Sequence, residues 1–233
     1  MSRWKILLVS GLFACNACEL GTSEPDLHII SHVFDFSQGD YGWLGDFSEY
    51  PVGDSIAYKL VFKHDQLPSN LGMGKGLMLS GTNYSDDLFM FVKKKITGLM
   101  PATEYQIGFE IEFATNAPRN SVGVGGSPGE SVYLKAGASA VEPGKVAANG
   151  YYEMNIDKGN QLSGGKDMIL VGNIASPSPS SEYNVVDRSN SVSFKTTTNS
   201  EGELWLIVGT DSGFEGTTTL YYTKIGVVFS LTD

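Results

Sequence analysis

Oxygen-bearing side chains gather at three turns of this chain: Asn83, Ser85, Asp86 and Asp87; then Asp157, Asn160 and Asp167; then Asp211, Ser212 and Glu215. Carboxylate and carbonyl oxygens supplied by loops are what Ca2+ takes. The expectation is bound calcium, with Asp86, Asp87, Asp211 and Glu215 as its ligands if the turns converge. The alternative for each group is local, because polar turn residues also bond their own backbone. A zinc site has little support, since the chain has no His-Glu-x-x-His and no cysteine after Cys18. Trp43, flanked by Gly42 and Asp46, is the candidate stacking platform for a sugar, with Asp46 as its polar partner. Its alternative is a core side chain, the reading that also suits Trp205 between Leu204 and Leu206.

Other chemical patterns fail on context. Gly125-Gly126-Ser127-Pro128-Gly129 matches G-x-S-x-G, but that elbow must join a strand to a helix and be followed by its His. Here a strand pattern follows, and His28, His32 and His64 all precede Ser127. Glu130 stands where a phosphate loop needs Lys. Paired carboxylates for glycoside hydrolysis must lie about 5–5.5 or 6.5–9.5 Å apart, and 26 acids without geometry single out no pair. Lys93-Lys94-Lys95 ends a strand pattern and reads as a solvated edge that resists unwanted pairing.

The N-terminus gives an address. Arg3 and Lys5 precede the apolar run Ile6-Leu7-Leu8-Val9 and Leu12-Phe13-Ala14. That run is shorter than the roughly 20 residues a spanning helix needs, and has the length of a secretory signal. Residues 1–14 are therefore read as a signal peptide. Leu12-Phe13-Ala14-Cys15 resembles the bacterial lipobox, which implies lipid attachment at Cys15 and a tether over 15–27. The alternative is plain secretion with cleavage after Ala17, and Cys18 is either spare or the alternative lipid site. A thioredoxin-type reading of Cys15 and Cys18 would need a βαβ context, and none follows.

These residues need a scaffold, and the body of the chain supplies one of strands. With 28 Gly, 12 Phe, 11 Tyr and 41% hydrophobic residues, the chain is neither disordered nor fibrous. A net charge of -10 argues against a nucleic-acid partner. Tyr105, Ile107, Phe109, Ile111 and Phe113 alternate with Gln106, Gly108, Glu110 and Glu112, the period of a half-buried strand. Val192, Phe194 and Thr196 repeat the pattern, as does a last strand with Thr219, Tyr221, Thr223, Ile225, Val227, Phe229 and Leu231 on one face. Ile56–Phe62, Leu88–Val92 and Leu204–Val208 are apolar on both faces, as in central strands of stacked sheets. Turn residues punctuate the intervals, and no amphipathic helix is visible. The fold class is all-β: one antiparallel β-sandwich, jelly-roll-like, over residues 28–233.

Two resemblances add to this reading. Ile96-Thr97-Gly98-Leu99-Met100-Pro101-Ala102-Thr103-Glu104-Tyr105 looks like the turn-then-strand element of β-sandwich modules, including jelly-roll carbohydrate-binding modules. Leu220-Tyr221-Tyr222-Thr223-Lys224-Ile225-Gly226-Val227 is similar to the closing strand of such modules. Over nearly the whole body, strings such as Ser85-Asp86-Asp87-Leu88-Phe89-Met90-Phe91 and Gly209-Thr210-Asp211-Ser212-Gly213-Phe214-Glu215-Gly216-Thr217 resemble a family of bacterial secreted proteins and lipoproteins of unassigned function. Together they imply an exported cell-envelope protein, lipid-anchored or secreted, that binds an extracellular glycan or another envelope ligand. Two alternatives stay open: a secreted hydrolase using carboxylates, marked by a concave pocket of clustered acids, and a structural envelope protein.

Overall fold

The computed structural model describes residues 29–85 and 87–231. The signal and tether readings, Cys15 among them, and Asp86 lie outside the described residues. Fifteen strands occur among them. In chain order these begin with β1 (Ile29–Asp35), β2 (Leu44–Ser48), β3 (Tyr50–Pro51), β4 (Val61–Gln66) and β5 (Lys75–Thr82). Next come β6 (Leu88–Ile96), β7 (Glu104–Thr115), β8 (Val132–Ser139), β9 (Lys145–Ala148) and β10 (Tyr151–Met154). The last are β11 (Met168–Asn173), β12 (Asn184–Ser189), β13 (Phe194–Thr197), β14 (Leu204–Ser212) and β15 (Thr217–Leu231).

Two large antiparallel sheets stack face to face. In one, the order is β12-β7-β15-β5-β4, with β13 continuing the β12 edge of β7 and β1 continuing the β5 edge of β15. The other runs β11-β8-β14-β6-β2. The chain passes directly from one of these two sheets to the other at β1 to β2, β5 to β6, β6 to β7, β7 to β8, β11 to β12, β13 to β14 and β14 to β15. The order β5-β15-β7-β12 facing β6-β14-β8-β11 is that of a jelly roll. Between the layers lie Leu77, Leu79, Leu88, Met90, Val92, Phe109, Phe113, Leu134, Leu206, Val208, Tyr222 and Phe229, all essentially without exposure.

Alternation explains which faces are buried, and a bulge explains where it slips. β7 keeps the expected phase, with Tyr105, Ile107, Phe109, Ile111 and Phe113 inward. β15 does not. The register shifts between Tyr222 and Lys224, so Leu220 and Tyr222 point inward before Thr223, while Ile225, Val227 and Phe229 do so after it. The extra residue of a bulge moves every later side chain to the opposite face. Thr219 and Tyr221 therefore do not share the face of Ile225, as a simple period of two had them. Ile56 is likewise not in a strand; residues 55–59 form turns, and Ile56 is 89% exposed.

The second departure concerns the outer face of the five-stranded sheet. Residues 140–167, between β8 and β11, fold back across that face. The strap includes β9 and β10, which form a small sheet with β3. Beneath it Phe89, Phe91, Ile207 and Met168 make a second apolar layer, with Met154 and Ile156 against them. This is why β6 and β14 are apolar on both faces. Gly137 lets the strap close, because a Cβ there would collide with Asp167 O. Lys93, read as part of a solvated edge, sits instead in a central strand and is buried. Its ammonium donates to Glu142 Oε1 at 2.7 Å and Pro143 O at 2.6 Å, tying the start of the strap to β6.

Candidate functional site

Charge is buried under the strap. Lys135 on β8 and Asp211 on β14 both point to the outer face, and their side chains are wholly buried. In the ladder Tyr133 lies opposite Asp211, so Lys135 is its diagonal neighbour and reaches Asp211 Oδ2 at 2.9 Å. Lys158 from the strap donates to the same oxygen at 2.9 Å, as does the Gln161 backbone N–H. Lys135 Nζ also donates to Lys158 O and Ser163 O, each at 3.0 Å. Burial raises the Asp211 carboxyl, but the two adjacent lysines more than offset that and hold it below the usual carboxylate range. Burial pulls the Lys135 ammonium down, against the opposing pull of Asp211.

Lys158 links this buried pair to a pocket. Its ammonium lies 3.5 Å from Glu49 Oε2 and 5.3 Å from the centre of the Phe89 ring. Burial lowers the Lys158 pKa, but the charges of Asp211 and Glu49 outweigh it and leave it raised. Glu49 follows β2 in the left-handed region at φ 65°, an uncommon conformation for a residue with a Cβ. Its N–H donates to Tyr152 O at 2.6 Å, which holds the bend. The bend brings the Glu49 side chain to Asp87, with which it shares a hydrogen bond. Burial first, then that bond and the Glu49 charge, push the Asp87 carboxyl up to about 8. The Asp87 carboxyl therefore keeps its proton to higher pH than an ordinary aspartate. Asp87 Oδ1 is buried and has no hydrogen-bond partner among the described residues.

The resulting pocket has a volume of about 510 Å3. Glu49, Asp87, Lys158, Ser85 and Asn160 offer polar atoms, Tyr151 and Tyr152 form an aromatic side, and Glu153 and Asp157 add further carboxylates. From Tyr152 a row of rings continues through Tyr50, Tyr58 and Tyr84, with centres 5.1, 5.6 and 5.4 Å apart; the first two pairs are tilted and the last meets edge to face. Lys145 caps the row, 5.2 Å from the Tyr152 ring and 2.8 Å from Asp46 Oδ1.

Against this geometry the expected site residues divide. Trp43 is 2% exposed and packs edge-on against Phe34 and Phe36, so it presents no face to a sugar and is corrected to a core residue. Asp46 is half-buried and anchors Lys145 beside the tyrosine row, outside the pocket lining. Asp87 lines the pocket. Asp211 lies one residue behind it, bonded to two lysines, an environment that repels a metal cation. Glu215 is elsewhere: its N–H donates to Val124 O and its side chain packs beside Gly125. Among the described residues no group of three or more His, Cys, Asp or Glu could hold a metal ion. The expected convergence of Asp87, Asp211 and Glu215 on calcium does not occur in this arrangement. Asp157 and Asp167 accept from nearby backbone N–H groups, as turn formers do. Ser127 is bonded to Glu130 within its own turn.

Glu49, Lys158, Lys135, Tyr151 and Tyr152 were not singled out by sequence. The available signal was a lone charge in each of two central strands, Lys135 and Asp211, since unpaired charge is not buried.

A pH experiment reads the carboxyl pair. The folded pKa of Asp87, about 8, lies above its unfolded value, so the native state binds more protons between about pH 4 and 8. The contribution of this group to stability is then greatest at low pH and is lost as pH rises through that window. Asp87→Asn should remove the slope, by at most about 1.4 kcal/mol per pH unit, the one-proton limit. The check is urea unfolding of both proteins from pH 5 to 8 (roughly the window set by the shift); parallel curves would contradict a protonated Asp87.

No family profile matches the chain, and no curated protein matches it. Several solved structures show a likeness of shape. The TmCBM61 module in complex with β-1,4-galactotriose is 10% identical at a TM-score of 0.37, over 82% of this chain and 92% of that one. The carbohydrate-binding module TmCBM27, solved in a study of mannan recognition, is 11% identical at 0.36, over 86% and 97%. The K1 cleaved adhesin domain of Lys-gingipain from Porphyromonas gingivalis W83 is 8% identical at 0.36, over 88% and 99%. At TM-scores below 0.5 these likenesses carry no functional weight.

Proposed function

We propose that this protein is an exported cell-envelope module that binds an extracellular glycan in the pocket between Tyr151, Tyr152 and the Glu49–Asp87 pair. One observation supports it above the others: a single concavity sets aromatic surface beside carboxyl, hydroxyl, amide and ammonium groups. Ligand sites combine apolar walls with a few convergent polar groups, and a sugar offers both an apolar C–H face and hydroxyls. Tyr151 is 45% exposed, so truncating it removes ligand contact with little effect on the fold. In affinity electrophoresis across plant and microbial glycans, Tyr151→Ala and Glu49→Gln are each expected to weaken retention about tenfold, the effect of losing roughly 1.4 kcal/mol. Retention unchanged by both variants would contradict this site.

Export and anchoring belong to the same proposal. They rest on the charged and apolar N-terminal pattern, the Cys15 context and a body without cysteine. Radiolabelled palmitate should enter the wild type and not Cys15→Ser; equal labelling would contradict lipidation there.

A hydrolase is the second reading, favoured by a pocket carboxyl that keeps its proton near neutral pH. Product formation from a retained glycan that stops in Glu49→Gln would decide for the enzyme.

A further inference from the structure

Arginine occurs at three positions, Arg3, Arg119 and Arg188, and the last two line one cleft of about 500 Å3. The cleft lies where the loop after β7, the end of β11 and the strand β12 meet. The backbone that carries Arg119 is fixed there: Pro118 forms a bridge with Ser176, and Arg119 N–H donates to Ser178 O at 3.4 Å. Arg188 is half-buried. Its Nε donates to Asn173 O at 3.0 Å, Nη1 to Asp187 O at 2.9 Å and Nη2 to Ala175 O at 3.1 Å. Capping these carbonyls uses three of the five guanidinium N–H groups and leaves one on each terminal nitrogen. Among the described residues every ion pair belongs to a lysine, so neither arginine has a carboxylate at contact distance.

The neighbouring polar groups also present donors. Ser176 is 1% exposed; its oxygen accepts from Ser178 N–H and Asn184 Nδ2, both at 3.1 Å, and its own O–H has no acceptor among the described residues. Asn173 Oδ1 accepts from Ala175 N–H, which leaves the amide nitrogen as the group to offer. The Glu130 oxygens are engaged by Asn120 N–H and the Ser127 hydroxyl. The Asp187 carboxylate leaves β12 on the face opposite Arg188. We propose that this cleft is a second binding site, separate from the tyrosine pocket, for a ligand bearing an oxyanion, either a uronate carboxylate or a phosphate. Arginine forks match both groups, and charge-assisted bonds of this kind are about twice as strong as neutral ones. The carbonyls that hold Arg188 orient it before a ligand arrives, which lowers the cost of binding. The tyrosine pocket, with Glu49, Glu153 and Asp157 on its lining, disfavours the same ligand.

The probes are a trimer of α-1,4-linked galacturonate, its fully methyl-esterified counterpart and inorganic phosphate. Esterification removes the charge and keeps the ring and linkage. By isothermal titration calorimetry at neutral pH, the acid is expected to bind about tenfold more tightly than the ester. Arg119 is exposed, so Arg119→Gln should abolish that preference with the urea midpoint unchanged. Arg188→Lys keeps the charge, loses the fork and should weaken the acid to a similar degree. Tyr151→Ala should leave the preference intact. Displacement of the trimer by phosphate would support oxyanion recognition on either carrier; a trimer that phosphate does not displace would assign the carboxylate. Equal affinities for acid and ester, a preference that survives Arg119→Gln, or one that disappears in Tyr151→Ala would overturn the inference. Binding of neither the trimer nor phosphate would overturn it too, while the glycan reading is decided separately by the Tyr151-dependent retention screen.

Discussion

Asp211→Ala is expected to destabilise the fold by about 3–5 kcal/mol, the cost of removing one partner from a buried ion pair. The reason is what stays behind. Lys135 has no exposed side-chain surface and Lys158 has almost none, and both direct their ammonium groups at Asp211 Oδ2. Without that oxygen two like charges face each other under the strap. A domain stable by about 5–15 kcal/mol loses much of its margin this way. Glu215→Ala serves as the control, since a partly exposed loop side chain should change stability by less than about 0.5 kcal/mol. Urea unfolding of the three proteins checks this, and similar midpoints for all would contradict a structural role for the pair. The same experiment addresses calcium. With Asp211 held by lysines, added calcium or chelator should not move the wild-type midpoint, whereas a native-state ligand would raise it. A calcium-dependent rise lost in Asp211→Ala would restore Asp211 as a metal ligand.

Trp43→Ala should cost about 3–5 kcal/mol as well, by cavity formation, because large aromatic groups removed from cores leave space that relaxes only partly. Trp43 fills the corner where Phe34, Phe36 and Tyr41 meet: its ring lies 5.4 Å from Phe34 and 6.1 Å from Phe36, and Tyr41 flanks both phenylalanines. Phe34 lies near the end of β1, and Phe36, Tyr41 and Trp43 lie between β1 and β2, so a loosened corner also loosens the start of β2, which leads into Glu49. Thermal unfolding reads the loss. A variant with wild-type stability but no glycan retention would reverse the assignment and make Trp43 a ligand contact.

How far the sequence spoke depends on what each residue's role required. β7 was legible because its alternation continues unbroken from Tyr105 to Phe113. β15 was legible as a strand, yet its bulge at Thr223 was not, since Thr is at home on either face of a sheet. The stabilising contacts there are tertiary: Phe36 N–H donates to Thr223 O, and the Thr223 hydroxyl donates to Glu112 Oε1. The double-sided apolar strands β6 and β14 correctly announced burial on both faces. What covered the second face could not be read, because the strap is short of apolar periodicity and is held by Lys158 and glycine geometry. The site was hidden for the same reason. Glu49, Asp87 and Tyr152 come from three separate elements, and the left-handed turn that aims Glu49 at Asp87 has no signature in its residue type. Trp43 was misplaced because its type suits a core and a sugar platform equally, and only packing decides.

The most direct measurement is amide chemical-shift mapping of the isotope-labelled protein titrated with a retained glycan. The pocket assignment predicts that the largest changes fall on Glu49, Asp87, Tyr151, Tyr152 and Lys158. Changes confined to the outer face of the seven-stranded sheet, around Val33, Gly108 and Val228, would place the ligand elsewhere and contradict it.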